Sequence, residues 1–189
     1  MRGPAGPVAA GWHAPGMIVW INGAFGAGKT TTAELVTERL PGARLVDPEY
    51  VGYLLTTFTG SPMGDFQDLP LWRHLVIETV AGLDEHHPGT WVAPMSLINP
   101  AYRTEILGGI RAAGADLREF ILTLPEDILR ARIDADQLDV KANGWRHRHV
   151  TQALTTFTSL PDATFVDATQ PPDQVADAIA HHARQSPAP

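Results

Sequence analysis

Gly23-Ala24-Phe25-Gly26-Ala27-Gly28-Lys29-Thr30 follows the apolar run Ile18-Val19-Trp20-Ile21 and leads into a helical pattern beginning at Thr31. Its spacing is G-x-x-x-x-G-K-[ST] without a departure, the loop in which backbone N–H groups curl around phosphate oxygens. Gly23, Gly26 and Gly28 permit that curl, and the next helix adds about half a positive charge at its N-terminus. Lys29 can reach the outer phosphates of a nucleotide, and the Thr30 hydroxyl can ligate Mg²⁺. A glycine-rich packing turn would share the glycines but would not need a Lys-Thr pair between strand and helix. Ala24, Phe25, Ala27 and Thr31 complete the stretch expected to contact a nucleotide.

Outward from this loop, short β-branched runs alternate with longer helical patterns. Strands are expected at residues 17–22, 44–46, 90–97, 117–123 and 164–167, the third of them interrupted at Pro94. Helices are expected at 31–40, 71–83, 101–113, 126–133, 144–156 and 173–184. The pattern predicts one doubly wound α/β domain over 17–184: a five-stranded parallel sheet with helices on both faces, P-loop kinase-like, with a lid. Residues 1–16, rich in Gly, Pro and Ala and without the apolar core of a signal peptide, read as a disordered N-terminal extension. Met17 is then either the start or the first ordered residue. Residues 185–189 read as a short C-terminal tail.

The chain has 189 residues, 44% of them hydrophobic, and a formal net charge of −7. Without a Lys/Arg-rich run, that balance argues against nucleic acid or an anionic membrane as a general partner. No stretch approaches the roughly 18 uninterrupted apolar residues of a membrane span. There is no cysteine, hence no disulfide, thiolate metal site or Cys nucleophile, and the cytoplasm is the expected compartment. Only Lys29 and Lys141 are lysines; a compact ammonium suits the phosphate cradle of Lys29 better than the broad arginine fork. Nothing in the sequence specifies an oligomeric state.

In a sheet of this kind ligands gather beyond the carboxyl ends of the strands. The second strand ends in Asp47-Pro48-Glu49, and a carboxylate there can take a proton from an attacking hydroxyl or hold a Mg²⁺-bound water. Asp47 can equally cap the helix that starts near Pro48. The third strand carries no carboxylate, unlike that of an NTP hydrolase motor, which leaves Asp47 as the leading candidate for both roles. The flexible stretch 56–64 leads to Asp65-Phe66-Gln67, followed by Pro70-Leu71-Trp72-Arg73. Phe66, Trp72 and Met63 are read as an apolar substrate wall, with Gln67, Arg73 and Met95 as further substrate contacts, although Trp72 fits an ordinary helix core as well. The polar stretch 134–144 resembles a hinged lid flanked by Arg130, Arg132, Arg146 and Arg148. Its closure would bring guanidinium groups to a transferring phosphoryl, with Arg146 and Arg148 as catalytic candidates; ion pairs with Asp134, Asp136 and Asp139 are the alternative use. Arg132 and, after the last strand, Thr169 are the remaining nucleotide-contact candidates. His147 and His149, one residue apart on a helix, diverge and do not share a metal.

Ile18 to Thr30, Asp47-Pro48-Glu49, Asp65-Phe66-Gln67 with Pro70-Leu71-Trp72-Arg73, Val92-Ala93-Pro94-Met95, and Asn143 with Trp145 together resemble the ATP-binding tunicamycin-resistance protein family. The resemblance runs from Met17 to about Ala183. It implies a nucleoside/nucleotide-kinase-like fold, ATP binding and protection against a uridine-containing antibiotic, and it places the recognised start near Met17. Two function classes follow. One is an ATP- and Mg²⁺-dependent transfer of the γ-phosphoryl to a hydroxyl of a nucleoside-like or sugar-like small molecule, including a housekeeping sugar or nucleotide as substrate. The other is ATP-gated sequestration of the antibiotic without chemistry.

Overall fold

The computed structural model describes residues 16–60, 64–137, 142–158, 160 and 163–185. The expected extension 1–16, apart from Gly16, the tail 185–189, apart from Gln185, and Met63, Asp139 and Lys141 lie outside the described residues. Five strands form one sheet in the order β2-β3-β1-β4-β5, with every neighbouring pair parallel. The strands are β1 (Met17–Gly23), β2 (Arg44–Leu45), β3 (Thr90–Pro94), β4 (Asp116–Thr123) and β5 (Thr164–Asp167). Between them run α1 (Lys29–Arg39), α2 (Glu49–Thr59), α3 (Pro70–His86), α4 (Pro100–Ala112), α5 (Glu126–Ala135), α6 (Asn143–Phe157) and α7 (Pro172–Arg184), with a 3₁₀ turn at Phe66–Asp68.

Central β1 explains the two layers. Its side chains alternate, so Val19 and Ile21 join a core with Val36 of α1, Leu129 of α5, Val150 of α6 and Ile179 of α7. Ile18 and Trp20 point the other way, into a second core with Trp72 and Val76 of α3 and Ile106 and Ile110 of α4. A strand buried on both faces is apolar without interruption, as Ile18-Val19-Trp20-Ile21 is.

Three expectations change. Residues 56–59 belong to α2 and not to a flexible stretch. The hydroxyls of Thr56, Thr57 and Thr59 donate to the carbonyls four residues earlier, and Gly60 closes the helix at φ +65°. Trp72 is fully buried core. Strand β3 stops at Pro94, three residues short of the expected end. Met95 N–H still donates to the Ile21 carbonyl at 3.0 Å, and Leu97 N–H turns instead to the Asn22 side chain at 3.0 Å.

Asn22 is the node of a buried polar network at the carboxyl end of β1. Its Oδ1 accepts from Gly23 N–H at 2.9 Å and from Leu97 N–H, while its Nδ2 donates to Glu119 Oε1 at 3.0 Å. Glu119 on β4 is in turn paired with Arg103 of α4, whose Nε donates to Oε1 at 2.9 Å and whose Nη2 meets Oε2. Each member satisfies the next, which is the condition for burying charge without a large penalty. Replacing Glu119 by Ala leaves the Arg103 guanidinium and Asn22 amide without their acceptor. A loss of about 3–5 kcal/mol is expected from the unfolding free energy in urea, with a smaller loss for Glu119→Gln. A midpoint unmoved by both substitutions would show that the network does not clamp the fold.

Candidate functional site

The carboxyl ends of the strands open into a cavity of about 1000 Å³. Its floor is Phe25, Gly26, Gly28, Lys29, Thr30 and Thr31, continued by Glu34 one turn along α1. Gly28 sits at φ +88°, a left-handed conformation that a side chain resists, and a Cβ built there meets no atom within 4 Å. The space on its Cβ side is therefore open, while its carbonyl accepts from Thr32 N–H at 2.9 Å. Gly23, Ala24 and Ala27, also expected at a nucleotide, lie beneath this floor and hold it. The Gly23 carbonyl accepts from Ser96 Oγ at 2.8 Å, Ala27 N–H donates to the Ala24 carbonyl at 3.2 Å, and both alanines are buried.

Lys29 Nζ donates to the Ala24 carbonyl at 3.0 Å and stands 5.5 Å from the centre of the Phe25 ring. Burial, set against attraction from Glu49 and joined by repulsion from Arg146, pulls its pKa down from 10.5 to about 8. An ammonium under that strain is a ready partner for an incoming anion.

The β2–α2 turn supplies Asp47 and Glu49 to the cavity. Asp47 Oδ1 accepts from Glu49 N–H at 2.9 Å at the start of α2, and the residue also lines the cavity. Desolvation, more than the neighbouring Glu49 charge, raises its pKa above the usual aspartate value, against the lowering effect of the backbone bond. Glu49 Oε2 accepts from the Tyr53 hydroxyl at 3.0 Å. The next wall is Gly64, Asp65, Phe66 and Gln67. Asp65 Oδ1 accepts from Gln67 N–H at 3.0 Å, and Gln67 Nε2 donates to the Ser96 carbonyl at 3.0 Å. Pro94, Met95 and Ser96 form the back. A Cβ on Gly52 would come within 2.7 Å of the Phe66 ring, so that glycine is what lets α2 approach this wall.

The remaining side comes from α5 and α6. Arg132, Asp136, Ala142, Trp145 and Arg146 reach the cavity. Trp145 packs edge-on against Phe25 with centroids 4.8 Å apart, and Arg146 is paired with Asp136 at 2.7 Å. The ion-pair alternative therefore holds for Arg146 alongside its place in the cavity. Arg132 Nη2 donates to the Ala168 carbonyl at 3.1 Å.

Four further candidates stand outside the cavity lining. Trp72 packs on Phe66 from behind, with centroids 5.2 Å apart. Arg73 is buried: its Nε donates to Glu105 at 2.7 Å and its Nη1 to the Gln67 carbonyl at 2.6 Å, so it holds the Gln67 backbone. Arg148 is exposed, because two residues along a helix rotate it to the face away from Arg146. Thr169 N–H and Oγ1 both donate to Asp167, which closes the turn after β5. Arg130 is likewise engaged away from the cavity, with Glu126 at 2.6 Å and the His147 carbonyl at 3.2 Å. His147 turns to Asp134 at 2.8 Å and His149 to the Trp145 carbonyl at 2.8 Å, in keeping with their expected divergence.

Glu34 and Asp136 reach the site without having been singled out as site residues. Glu34 had a signal: it lies three and four residues beyond Thr31 and Thr30, on their helix face. Asp136 had none beyond being a partner for an arginine.

Superposed on the structure of the tunicamycin resistance protein of Deinococcus radiodurans, the chain matches with a TM-score of 0.73 and 29% identity, covering 92% of this chain and 99% of that one. The resemblance read from the motifs holds in three dimensions. A sugar kinase from Janibacter (TM-score 0.61, 20% identity, 87% of this chain and 92% of that one) has the same fold. So does a gluconokinase from Sinorhizobium meliloti (0.56, 20%, 89% and 93%). The architecture is thus α/β and P-loop kinase-like. No protein-family model and no curated protein sequence matches the chain. Among the described residues no helix is long and apolar enough to cross a membrane.

The low pKa of Lys29 has a measurable consequence. Between pH 8 and 10.5 the unfolded chain holds a proton on Lys29 that the folded chain has lost, so this group makes the empty protein less stable as pH falls through that window, with the full penalty below pH 8. Lys29→Met is expected to raise the melting temperature at pH 7, with the gain shrinking towards pH 10, and to remove the melting shift that tripolyphosphate gives the parent protein. A variant that melts no higher than the parent at any pH would contradict the buried-ammonium reading.

Proposed function

We propose that the protein is an ATP- and Mg²⁺-dependent phosphotransferase acting on a hydroxyl of a nucleoside-like or sugar-like small molecule, with tunicamycin as the leading acceptor. One observation carries the reading: a single cavity holds Gly28 with its open Cβ side, the strained Lys29 ammonium and the desolvated Asp47 carboxylate. Likeness to a tunicamycin resistance protein supports the choice of acceptor. The kinases among the structural neighbours support the fold on which the chemistry would run.

In this reading the α1 N-terminus and Lys29 bind the β- and γ-phosphates, with Arg132 and Arg146 adding guanidinium contacts. The Thr30 hydroxyl, exposed in the cavity, would hold Mg²⁺ together with phosphate oxygens, and Asp47 would reach it through water. Among the described residues no group of three His, Asp or Glu side chains forms a metal site unaided, so the ion would enter with the nucleotide. The ion's contribution is to neutralise charge on the phosphate oxygens. Asp47 accepts the proton of the acceptor hydroxyl while the hydroxyl oxygen bonds to the γ-phosphorus. The bond from that phosphorus to the β–γ bridging oxygen breaks, and ADP departs with the electron pair. The proton then passes from Asp47 to water. Trp145, packed on Phe25, covers the loop and excludes water from the transfer.

The test is incubation with ATP, Mg²⁺ and tunicamycin followed by mass spectrometry of the drug. One added phosphoryl group is expected, and Asp47→Asn should keep nucleotide affinity while slowing transfer by about 10²–10⁴-fold. Because Asp47 titrates above the usual aspartate range, transfer should be lost as pH falls through that raised pKa, starting at a higher pH than an ordinary carboxylate would allow. Intact drug retained only in the presence of nucleotide would replace transfer with nucleotide-gated sequestration. ADP release driven by a metabolic sugar, with the drug left untouched, would make the protein a housekeeping kinase.

A further inference from the structure

We infer that the acceptor bound in this cavity is a hydroxyl- or amine-rich molecule that carries no anionic group. The inference rests on the phosphotransferase reading for which part of the cavity is the acceptor's, namely the wall built by the β2–α2 turn and residues 64–67.

Charge is divided unevenly over the cavity. Its described cations, Lys29, Arg132 and Arg146, belong to the phosphate loop and to α5 and α6. The acceptor wall offers Asp47, Glu49, Asp65 and Gln67 and, among the described residues, no cation. Arg73 is the arginine nearest to that wall in sequence, and it is fully employed. Its guanidinium holds Glu105 at 2.7 Å and the Gln67 carbonyl at 2.6 Å, and it lies 4.2 Å from the centre of the Tyr102 ring. His149, whose charge acts on Asp65, is bonded through Nδ1 to the Trp145 carbonyl and stacked on that indole at 4.3 Å.

Gln67 supplies an observation independent of the carboxylates. Its side chain lines the cavity although the residue is only 8% exposed. The 3.0 Å bond to the Ser96 carbonyl uses one of its two amide N–H groups, and this also settles which way the amide is turned. Gln67 keeps its Oε1 acceptor for a ligand, with the second amide N–H as its one remaining donor. The side chains of this wall therefore present mainly hydrogen-bond acceptors. Asp47 and Asp65 each accept one backbone N–H through Oδ1, and burial raises both pKa values, so the second oxygen of each gains from a donor that a ligand can bring. Hydroxyl or ammonium groups satisfy all four residues. A phosphate, sulfate or carboxylate at the same place would meet like charge and unpaired lone pairs, a mismatch that excludes wrong partners.

The test measures binding apart from transfer, by calorimetric titration of the full-length protein loaded with Mg²⁺ and a non-hydrolysable ATP analogue. Matched pairs differ by one anionic group: uridine and uridine 5′-monophosphate, glucosamine and glucosamine 6-phosphate, glucose and glucuronate. In every pair that binds, the anion-free member should be at least about tenfold tighter. Asp65→Asn should narrow the gap several-fold, since asparagine can still accept from Gln67 N–H and preserve the turn. An anion-bearing member that binds as tightly as its partner, or failure of every anion-free member to bind, overturns the inference. Product mass with ATP separates the two readings. A neutral acceptor bound but never phosphorylated ends the transfer reading and leaves the charge selection standing, whereas phosphorylation of an anionic acceptor does the reverse.

Discussion

The cavity depends on a hydrogen bond accepted twice by one side chain. Asn22 Oδ1 holds Gly23 N–H, where the phosphate loop begins, and Leu97 N–H, where the chain leaves β3. Two strand ends are thereby tied at the point where their backbone ladder stops, and their N–H groups would otherwise be buried without partners. The amide is itself held by Glu119 and Arg103, so α4 and β4 brace the loop from the side opposite the cavity. Ser96 adds a bond to the Gly23 carbonyl, and Gln67 holds the Ser96 carbonyl. From Arg73 through Gln67 and Ser96 to Gly23, the wall at residues 64–67 and the glycine-rich floor of the cavity are one connected framework. In the proposed transfer such connection would keep two ligands in register, where reaction rate falls steeply with misplacement.

The same framework accounts for residues that looked like ligand contacts and are supports. Arg73 and Trp72 stand one layer behind the wall, the first beneath the Gln67 backbone and the second behind the Phe66 ring. Their value to the site lies in holding the side chains that do face the cavity, as supporting residues behind a binding site commonly do. Asp47 and Asp65 show the converse economy, each using one oxygen to close its own turn while remaining in the cavity wall.

Much of the fold was legible along the chain because its signals are local. The four-residue apolar run before the loop could only be a strand covered on both sides, and all five strands and six of the helices were found within a few residues. Helix α2 was the element missed in its second half, since Thr56, Thr57 and Thr59 have poor helix propensity and Gly60 reads as a loop. In the fold the helix runs on to Thr59, the three hydroxyls donate to carbonyls four residues earlier, and Gly60 closes it at φ +65°. Strand β3 erred the other way, because its apolar run continues past Pro94 while the ladder does not.

For the site, the floor of the cavity is a contiguous motif, so Lys29 and Thr30 stand out as candidates along the chain, and both line the cavity. Asp47 and Glu49 followed from their position after a strand. Which arginine faces the cavity was a different kind of question. Arg146 and Arg148 are equivalent in composition and nearly so in sequence, and only the rotation of α6 against Phe25 separates them. Arg73 was lost to the cavity by the approach of Glu105, 32 residues away. Contiguous backbone chemistry is written in neighbouring residues. The direction in which a long side chain spends its charge is decided by partners that only packing brings near.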